Sequence, residues 1–394
     1  KTYGGAEDGM FNSVIQTSDG GFALGGNSNF NVTFRDGIPR QINSNAWLVK
    51  TDENGSVEVN ETFGVGGDAL DSAYSIVRTD DDGYALAGGT QSFDPRSVDF
   101  GVGWLIKTDK NGVELFNKTF FNYRDDGTST NSFNSIVLTD DGGYALAGGG
   151  DGSWLVKTDE NGEEDFNKTY MTTFSFSEAK SVTQTDDGGF ALVGGQSEGF
   201  GESNDAWLMK TDPNGDAEFN VTFGGNGRDN AFSVVETSDG GFAIGGFTRS
   251  FGSGESDAWL IKTDSDGNEQ FNETYGGGNF DRAFSVVETS DRGFALGGAT
   301  SSFGSGGRDA WLVKTDENGN EQFNGTYGGG EDDDAFSVVE TADGSFALGG
   351  VTESFGAGDF NAWLVKISES DGATSPVDGV SDSLWAAVTQ NDGS

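Results

Sequence analysis

Apolar residues along this chain fall in short alternating runs, and nowhere do they hold helical spacing. Residues 231–248 read AFSVVETSDGGFAIGGFT, and residues 257–278 read DAWLIKTDSDGNEQFNETYGGG. Within them SVVET, GFAIGG, AWLIKTD and EQFNETYG are rich in β-branched and aromatic residues and too short for helices, so they predict four strands. Turn signals separate them. Asp-Gly-Gly joins the first two, as at Asp19, Asp141, Asp187 and Asp239, and Asp-x-Asn-Gly joins the last two, as at Asp52, Asp109, Asp159, Asp212 and Asp316. Both are tight hairpin turns, in which Gly or Asn tolerates positive φ.

The pattern repeats. Trp-Leu-aliphatic-Lys begins at Trp47, Trp104, Trp154, Trp207, Trp259, Trp311 and Trp363, seven copies about 52 residues apart. Four antiparallel strands per repeat predict an all-β fold, a seven-bladed β-propeller of four-stranded blades. The seventh unit ends near Gly372 without a fourth strand, while the chain opens on KTYGG, a copy of that strand. Residues 1–5 are therefore expected to complete the seventh blade and close the ring, giving a propeller over residues 1–372. An open solenoid would need capping repeats, which a split unit does not provide. The first strand of each blade should lie nearest the axis, with both tight turns on one face. The variable loops, from NSNFNVTFRDGIPRQINSN in the first unit to GDGS before Trp154, then lie on the other face, where propellers most often bind.

Composition removes much chemistry. Cysteine and histidine are absent, which excludes disulfides, thiolate or imidazole metal sites and imidazole-dependent nucleophiles. With 65 Asp and Glu against 22 Lys and Arg, the net charge of −43 repels nucleic acid and anionic membranes and suits high salt. No run approaches a membrane span. The chain opens on Lys1 with no leader before the first repeat, so a secretion signal is expected to have been removed already.

The repeated residues suggest roles. The tryptophans should pack between blades, and Lys50, Lys107, Lys157, Lys210, Lys262, Lys314 and Lys366 should pair with a repeat carboxylate. On the fourth strand, Asn60, Asn117, Asn167, Asn220, Asn272 and Asn324 each begin Asn-x-Thr, and Asn31 and Asn54 begin two further sequons. Covalent N-glycans on this outermost strand would leave blade packing undisturbed; the alternative is a polar rim Asn beside a cross-strand Thr. Asp8, Asp71, Asp229, Asp281 and Asp333 precede the innermost strand, where they either gather a Ca²⁺ ion at the channel mouth or shape the inter-blade turn, the reading preferred here. Thr-x-Asp-x-Gly, as at Thr17 to Gly21, resembles part of a sialidase hairpin motif, but it lacks the closing aromatic residue and recurs in every unit. The variable loops show no unique carboxylate pair and no arginine cluster, so a carboxylate-based glycoside hydrolase or lyase is disfavoured and no enzyme activity is expected.

Together, SVVETSDGGFAIGG, SFGSGESDAWLIKTD and GNEQFNETYGG resemble the repeat of secreted β-propeller surface proteins common in archaea, often followed by a stalk or membrane anchor. The resemblance covers residues 1–372 and implies an extracellular, cell-surface location more firmly than a function. The third unit's short loop before Trp154, and NKTYMTTFSFSEAKSV in the fourth where Gly-Gly is expected, mark blades where a special interaction could sit. Residues 373–394 belong to no blade and hold an apolar cluster, Leu384, Trp385 and Val388 included, which suggests a self-associating tail that builds a filament or layer, or the start of a stalk. The expected function is an exported, N-glycosylated structural protein of the cell surface. The alternative is an adhesion or recognition module that binds a glycan or protein through the variable-loop face.

Overall fold

The computed structural model describes residues 1–5, 8–35, 38–65, 69–93, 101–122, 131–150, 152–170, 176–197 and 204–368, with the backbone alone at 29–35, 38–42, 176 and 197. Among the described residues, twenty-eight strands form seven four-stranded antiparallel sheets arranged as a ring of blades. Blade 5 is typical, with Asn230–Glu236, Phe242–Thr248, Asp257–Thr263 and Glu269–Tyr275 in spatial order from first to fourth strand. Blade 7 joins Asp333–Glu340, Phe346–Thr352 and Asn361–Ile367 to Thr2–Tyr3, which pair with Trp363 and Ala362. The split blade is thus closed by the first residues of the chain.

No single core fills the molecule. Apolar side chains gather instead in seven clusters, each shared by two adjacent blades. Trp259 and Ile261 of blade 5 pack with Ala191, Val193 and Leu208 of blade 4, and Tyr3 sits with Leu364 of blade 7 against Phe11, Val14 and Trp47 of blade 1. Burying a side chain the size of Trp at each seam contributes about 3 kcal/mol or more, which makes the seams the main source of cohesion.

The Gly-Gly of every second strand answers to a bulge in the first. In blade 5 the register shifts between Ala231 and Ser233, and a Cβ added at Gly246 would lie 1.9 Å from the Asn230 carbonyl oxygen. Only glycine permits that approach. After the bulge, each first strand donates a backbone N–H to a serine of the preceding blade. Val14 donates to Ser337, Ile76 to Ser13, Ile136 to Ser75, Val182 to Ser135, Val234 to Ser181, Val286 to Ser233 and Val338 to Ser285, all at 3.2–3.3 Å. These hydrogen bonds form a closed ring around the axis.

On the tight-turn face, the repeated lysine does pair with the turn aspartate. Lys262 Nζ lies 3.0 Å from Asp239 and donates to the Thr263 carbonyl at 2.7 Å, its side chain only 6% exposed. Burial alone would raise the Asp239 pKa, but hydrogen bonds from Thr237 Oγ1, Lys262 Nζ and Gly241 N hold it at about 2. The folded value lies below the unfolded one, so this contribution is present above pH ~4 and is lost as pH falls toward 2.

One loop departs from expectation. The long first-unit segment is a hairpin whose strands, Phe22–Arg35 and Ile38–Thr51, stay paired out to Arg35 opposite Ile38. β-branched and aromatic residues such as Phe30, Val32, Phe34 and Ile38 favour that extension. Residues 373–394, with Leu384, Trp385 and Val388, lie outside the described residues.

A buried ammonium that loses its partner is penalised more than an ammonium replaced by an apolar side chain. Asp239→Ala should therefore lower stability by about 2 kcal/mol, while Lys262→Met should cost less than about 1 kcal/mol. Chemical denaturation of the two variants checks the order; an equal or reversed order would contradict this reading of the turn.

Candidate functional site

Three regions carry the side chains of interest: the rim, the blade junctions on the loop face, and the axial mouth on that same face.

At the rim, the six repeated Asn residues lie on exposed or half-exposed fourth strands. In four of them the amide oxygen turns inward to the buried tryptophan. Trp47 Nε1 donates to Asn60 Oδ1 at 2.6 Å, Trp154 to Asn167 at 2.8 Å, Trp311 to Asn324 at 3.2 Å and Trp259 to Asn272 at 3.3 Å. Trp104 and Trp207, in the blades of Asn117 and Asn220, have no such partner among the described residues. The Thr of each triplet stands directly opposite the Trp, as Thr274 does opposite Trp259. The amide nitrogen faces outward, where Asn167 Nδ2 meets Glu164 at 3.0 Å and Asn324 Nδ2 meets Glu321 at 2.6 Å. Asn54 sits exposed in a tight turn with its N–H on Asp52. Asn31 lies on the blade 1 hairpin, described there by backbone alone.

At the junctions, Asp71, Asp229, Asp281 and Asp333 are fully buried at the start of their first strands. Each carboxylate holds the end of the second strand in its own blade. Asp229 accepts from Thr248 Oγ1, Ser250 Oγ and Arg249 N, and from Gly225 N at 3.0 Å in the incoming connection. Asp281 and Asp333 repeat this with Ser302 and Gly277 and with Ser354 and Gly329, and Asp71 uses Thr90 and Ser92. Asp8 does not share the position. Gly9 takes it, pairing with Ser28 as Asp71 pairs with Thr90, and Asp8 stands one residue upstream, accepting from the Asp359 and Phe360 amides. Among the described residues no three acidic side chains converge as a metal site would require.

A second carboxylate that sequence reading did not single out joins three junctions: Asp205, Asp257 and Asp309, at or beside the start of the third strands. A Cβ added at Gly328 would lie 2.4 Å from Asp309 Oδ1 and 2.6 Å from Asp333 Oδ2, so only glycine fits between the pair. Burial first, and then Asp333 and Asp332, push Asp309 up to about 6 against the stabilising amide of Ser305.

At the axial mouth the repeat symmetry breaks. The bulge position carries Asn12, Tyr74, Asn134 and Lys180 in blades 1–4 but Phe232, Phe284 and Phe336 in blades 5–7. Asn12 and Asn134 reach the next blade by hydrogen bonds, to the Ala73 carbonyl and to that of Ala179, both at 2.8 Å, while Lys180 bonds Glu178 of its own strand. The phenylalanines touch one another instead, with centroids 5.4 and 5.5 Å apart. Beside this arc stands an arginine cluster, contrary to the sequence expectation. Arg282 lies over the Phe247 ring at 5.1 Å and Arg249 over Phe280 at 5.5 Å, and Arg308 pairs with Asp334 at 3.0 Å and Asp332 at 3.2 Å. Phe280 and Arg282 of one segment interleave with Phe247 and Arg249 of another, and burial, with the charges of Arg308, Arg249 and Arg228 after it, lowers the Arg282 pKa. The four arginines come from separate loops and one strand, with nothing but ring curvature to unite them.

No protein-family model and no curated protein sequence matches the chain. Among solved structures it is similar to the WD40 β-propeller domain of Doa1, at 13% identity and TM-score 0.56 over 95% of this chain and 97% of that one. It is also similar to Sqt1 from Chaetomium thermophilum, at 15% identity and TM-score 0.53 over 95% and 86%. The Dos1 propeller matches at 13% identity and TM-score 0.51 over 92% and 94%. At such identities the likeness establishes the fold alone: this chain is a seven-bladed β-propeller.

Asp309 makes a pH prediction. Its folded pKa exceeds the unfolded value, so its contribution is fully present below pH ~4 and is lost as pH rises through about 6. Asp309→Asn keeps an oxygen for Ser305 and removes the repulsion, so it should raise the melting temperature at pH 7.5 more than at pH 4.5. An equal change at both values would contradict the assignment.

Proposed function

We propose that this chain is the propeller of an exported, N-glycosylated and non-enzymatic structural protein of the cell surface. The observation that carries the reading is the register of the six Asn-x-Thr triplets on the rim strands, four of which, at Asn60, Asn167, Asn272 and Asn324, direct Oδ1 at the buried Trp of their blade. Glycan attachment replaces one Nδ2 hydrogen and leaves Oδ1 free to accept from Trp, so a sugar chain at this position is compatible with the packing. A highly acidic, sugar-covered ring would remain hydrated and resist non-specific association. The recurring charged residues support a non-enzymatic role, because the buried carboxylates and turn lysines are engaged in holding blades and turns. Self-association through residues 373–394 would turn such rings into a filament or layer, since head-to-tail contacts that do not close propagate.

A second reading is favoured by the broken symmetry at the axial mouth. An arginine and aromatic patch on the loop face is the composition of a recognition surface, for a glycan or a protein, and a glycan and peptide array probed with the propeller tests it.

Protein isolated from its native source should be heavier than the 41.3 kDa of the bare chain, and Asn→Gln at Asn60, Asn167, Asn272 and Asn324 should remove mass stepwise. An intact mass equal to the bare chain would remove the glycosylation reading. Deleting residues 373–394 should leave a folded propeller that no longer associates in sedimentation; a deletion that sediments as the full chain does, at every concentration, would end the filament proposal.

A further inference from the structure

We infer that the axial mouth over blades 5 and 6 binds a carboxylate carried on a CH-rich body, as a uronic acid presents it, with Arg282 and Arg249 holding the carboxylate and the phenylalanine arc facing the body. This deepens the recognition reading and is independent of glycosylation.

Charge balance is the first ground. The chain has about three acidic residues for each basic one, so a cation ordinarily finds a carboxylate partner close by. All seven repeat lysines do, from Lys50 with Asp19 to Lys366 with Asp343. Among the described residues Arg228, Arg249 and Arg282 have no ion pair, as Arg78, Lys110 and Arg292 have none elsewhere, and what sets Arg282 apart is that the charges of Arg308, Arg249 and Arg228 all act on it. Asp334 is a carboxylate whose charge reaches Arg282, but Arg308 already pairs with it, so the cluster keeps an excess of positive charge that an anion would neutralise.

Hydrogen bonding is the second ground. Arg282 Nε is buried and has no acceptor among the described residues. A guanidinium over an aromatic ring keeps its N–H edge free, because the ring contacts its face, and that edge matches the two oxygens of a carboxylate. Arg282 over Phe247 and Arg249 over Phe280 are held this way, and no ion pair among the described residues engages either guanidinium. Arg308 has a different task. It covers Asp332 and Asp334, whose charge on the blade 7 side would otherwise repel the ligand, as would that of Glu353.

The aromatic arc supplies the rest of the specificity. Arg282 is two residues from Phe284 on one strand, and Phe284 touches both Phe232 and Phe336. An apolar surface next to a carboxylate clamp suits a ring with axial C–H groups more than a bare inorganic anion, whose hydration it would strip without return.

Calorimetric titration of the full chain with glucuronate, an oligouronate, glucose, sulfate and an acidic peptide, at low and at 0.5 M salt, tests the inference and separates a free acid from a glycan residue. Glucuronate or oligouronate should bind, more weakly at high salt, and glucose should not; Arg282→Gln and Arg249→Gln should each weaken binding at least tenfold while Lys110→Gln, on the tight-turn face, leaves it unchanged. Arg282→Met, which keeps the stem over Phe247, should unfold at the same temperature as the parent and still fail to bind. Absence of uronate binding, equal loss in Lys110→Gln, unchanged binding in Arg282→Gln, or tighter binding of sulfate or the acidic peptide would each overturn the proposal. The array described above can still succeed in those cases, so failure here is distinguishable from failure of the recognition reading.

Discussion

Everything in this molecule depends on closing the ring. An isolated blade has an inner strand whose apolar face needs a neighbour and an outer strand with an unpaired edge. Six units satisfy each other in series, but the series ends with one seam open unless the last blade meets the first. The pairing of Thr2–Tyr3 with Trp363 and Ala362 provides that meeting, and Leu364 N donates to the Lys1 carbonyl at 2.9 Å beside it. Tyr3 fills the resulting seam, its ring 5.5 Å from Phe11 and its hydroxyl on the Gly55 carbonyl at 3.0 Å. The ring of serine hydrogen bonds around the axis closes at the same seam, between Val14 and Ser337.

Closure separates two kinds of charge. On the tight-turn face, the lysines and aspartates of the repeat neutralise one another in local pairs, and the aspartates are held at low pKa by hydroxyl and amide donors. On the loop face, buried aspartates anchor the connections that leave and enter each blade. Where Asp309 meets Asp333 at one junction, burial and the neighbouring charge raise the Asp309 pKa. Arg228, Arg249 and Arg282, which have no ion pair among the described residues, gather where the repeat is broken, at a mouth that no periodic rule constrains.

That distribution explains what the sequence made legible. The strands, the tight turns, the inter-blade tryptophans, the lysine partners and the split blade all recur or mirror a recurring phrase, and repetition turns a weak local signal into a firm one. Single events were harder to see. Asp8 resembles the junction aspartates in spacing, but a one-residue difference hands their position to Gly9. The tie between Trp259 and Asn272 runs diagonally across two strands, and its partners become neighbours only in register. Arg228, Arg249, Arg282 and Arg308 come from two blades and the connection before them, and the curvature of the ring is what assembles them.

The central claim is that the propeller is one closed, cooperative body and not a row of blades with a loose end. Native-state hydrogen exchange at the Leu364 amide tests it directly, because that hydrogen's acceptor is the carbonyl of Lys1. Closure predicts that Leu364 exchanges as slowly as Leu260, its counterpart in unbroken blade 5, and through the same global opening. Rapid exchange at Leu364 while Leu260 remains protected would show an open seam and contradict the account.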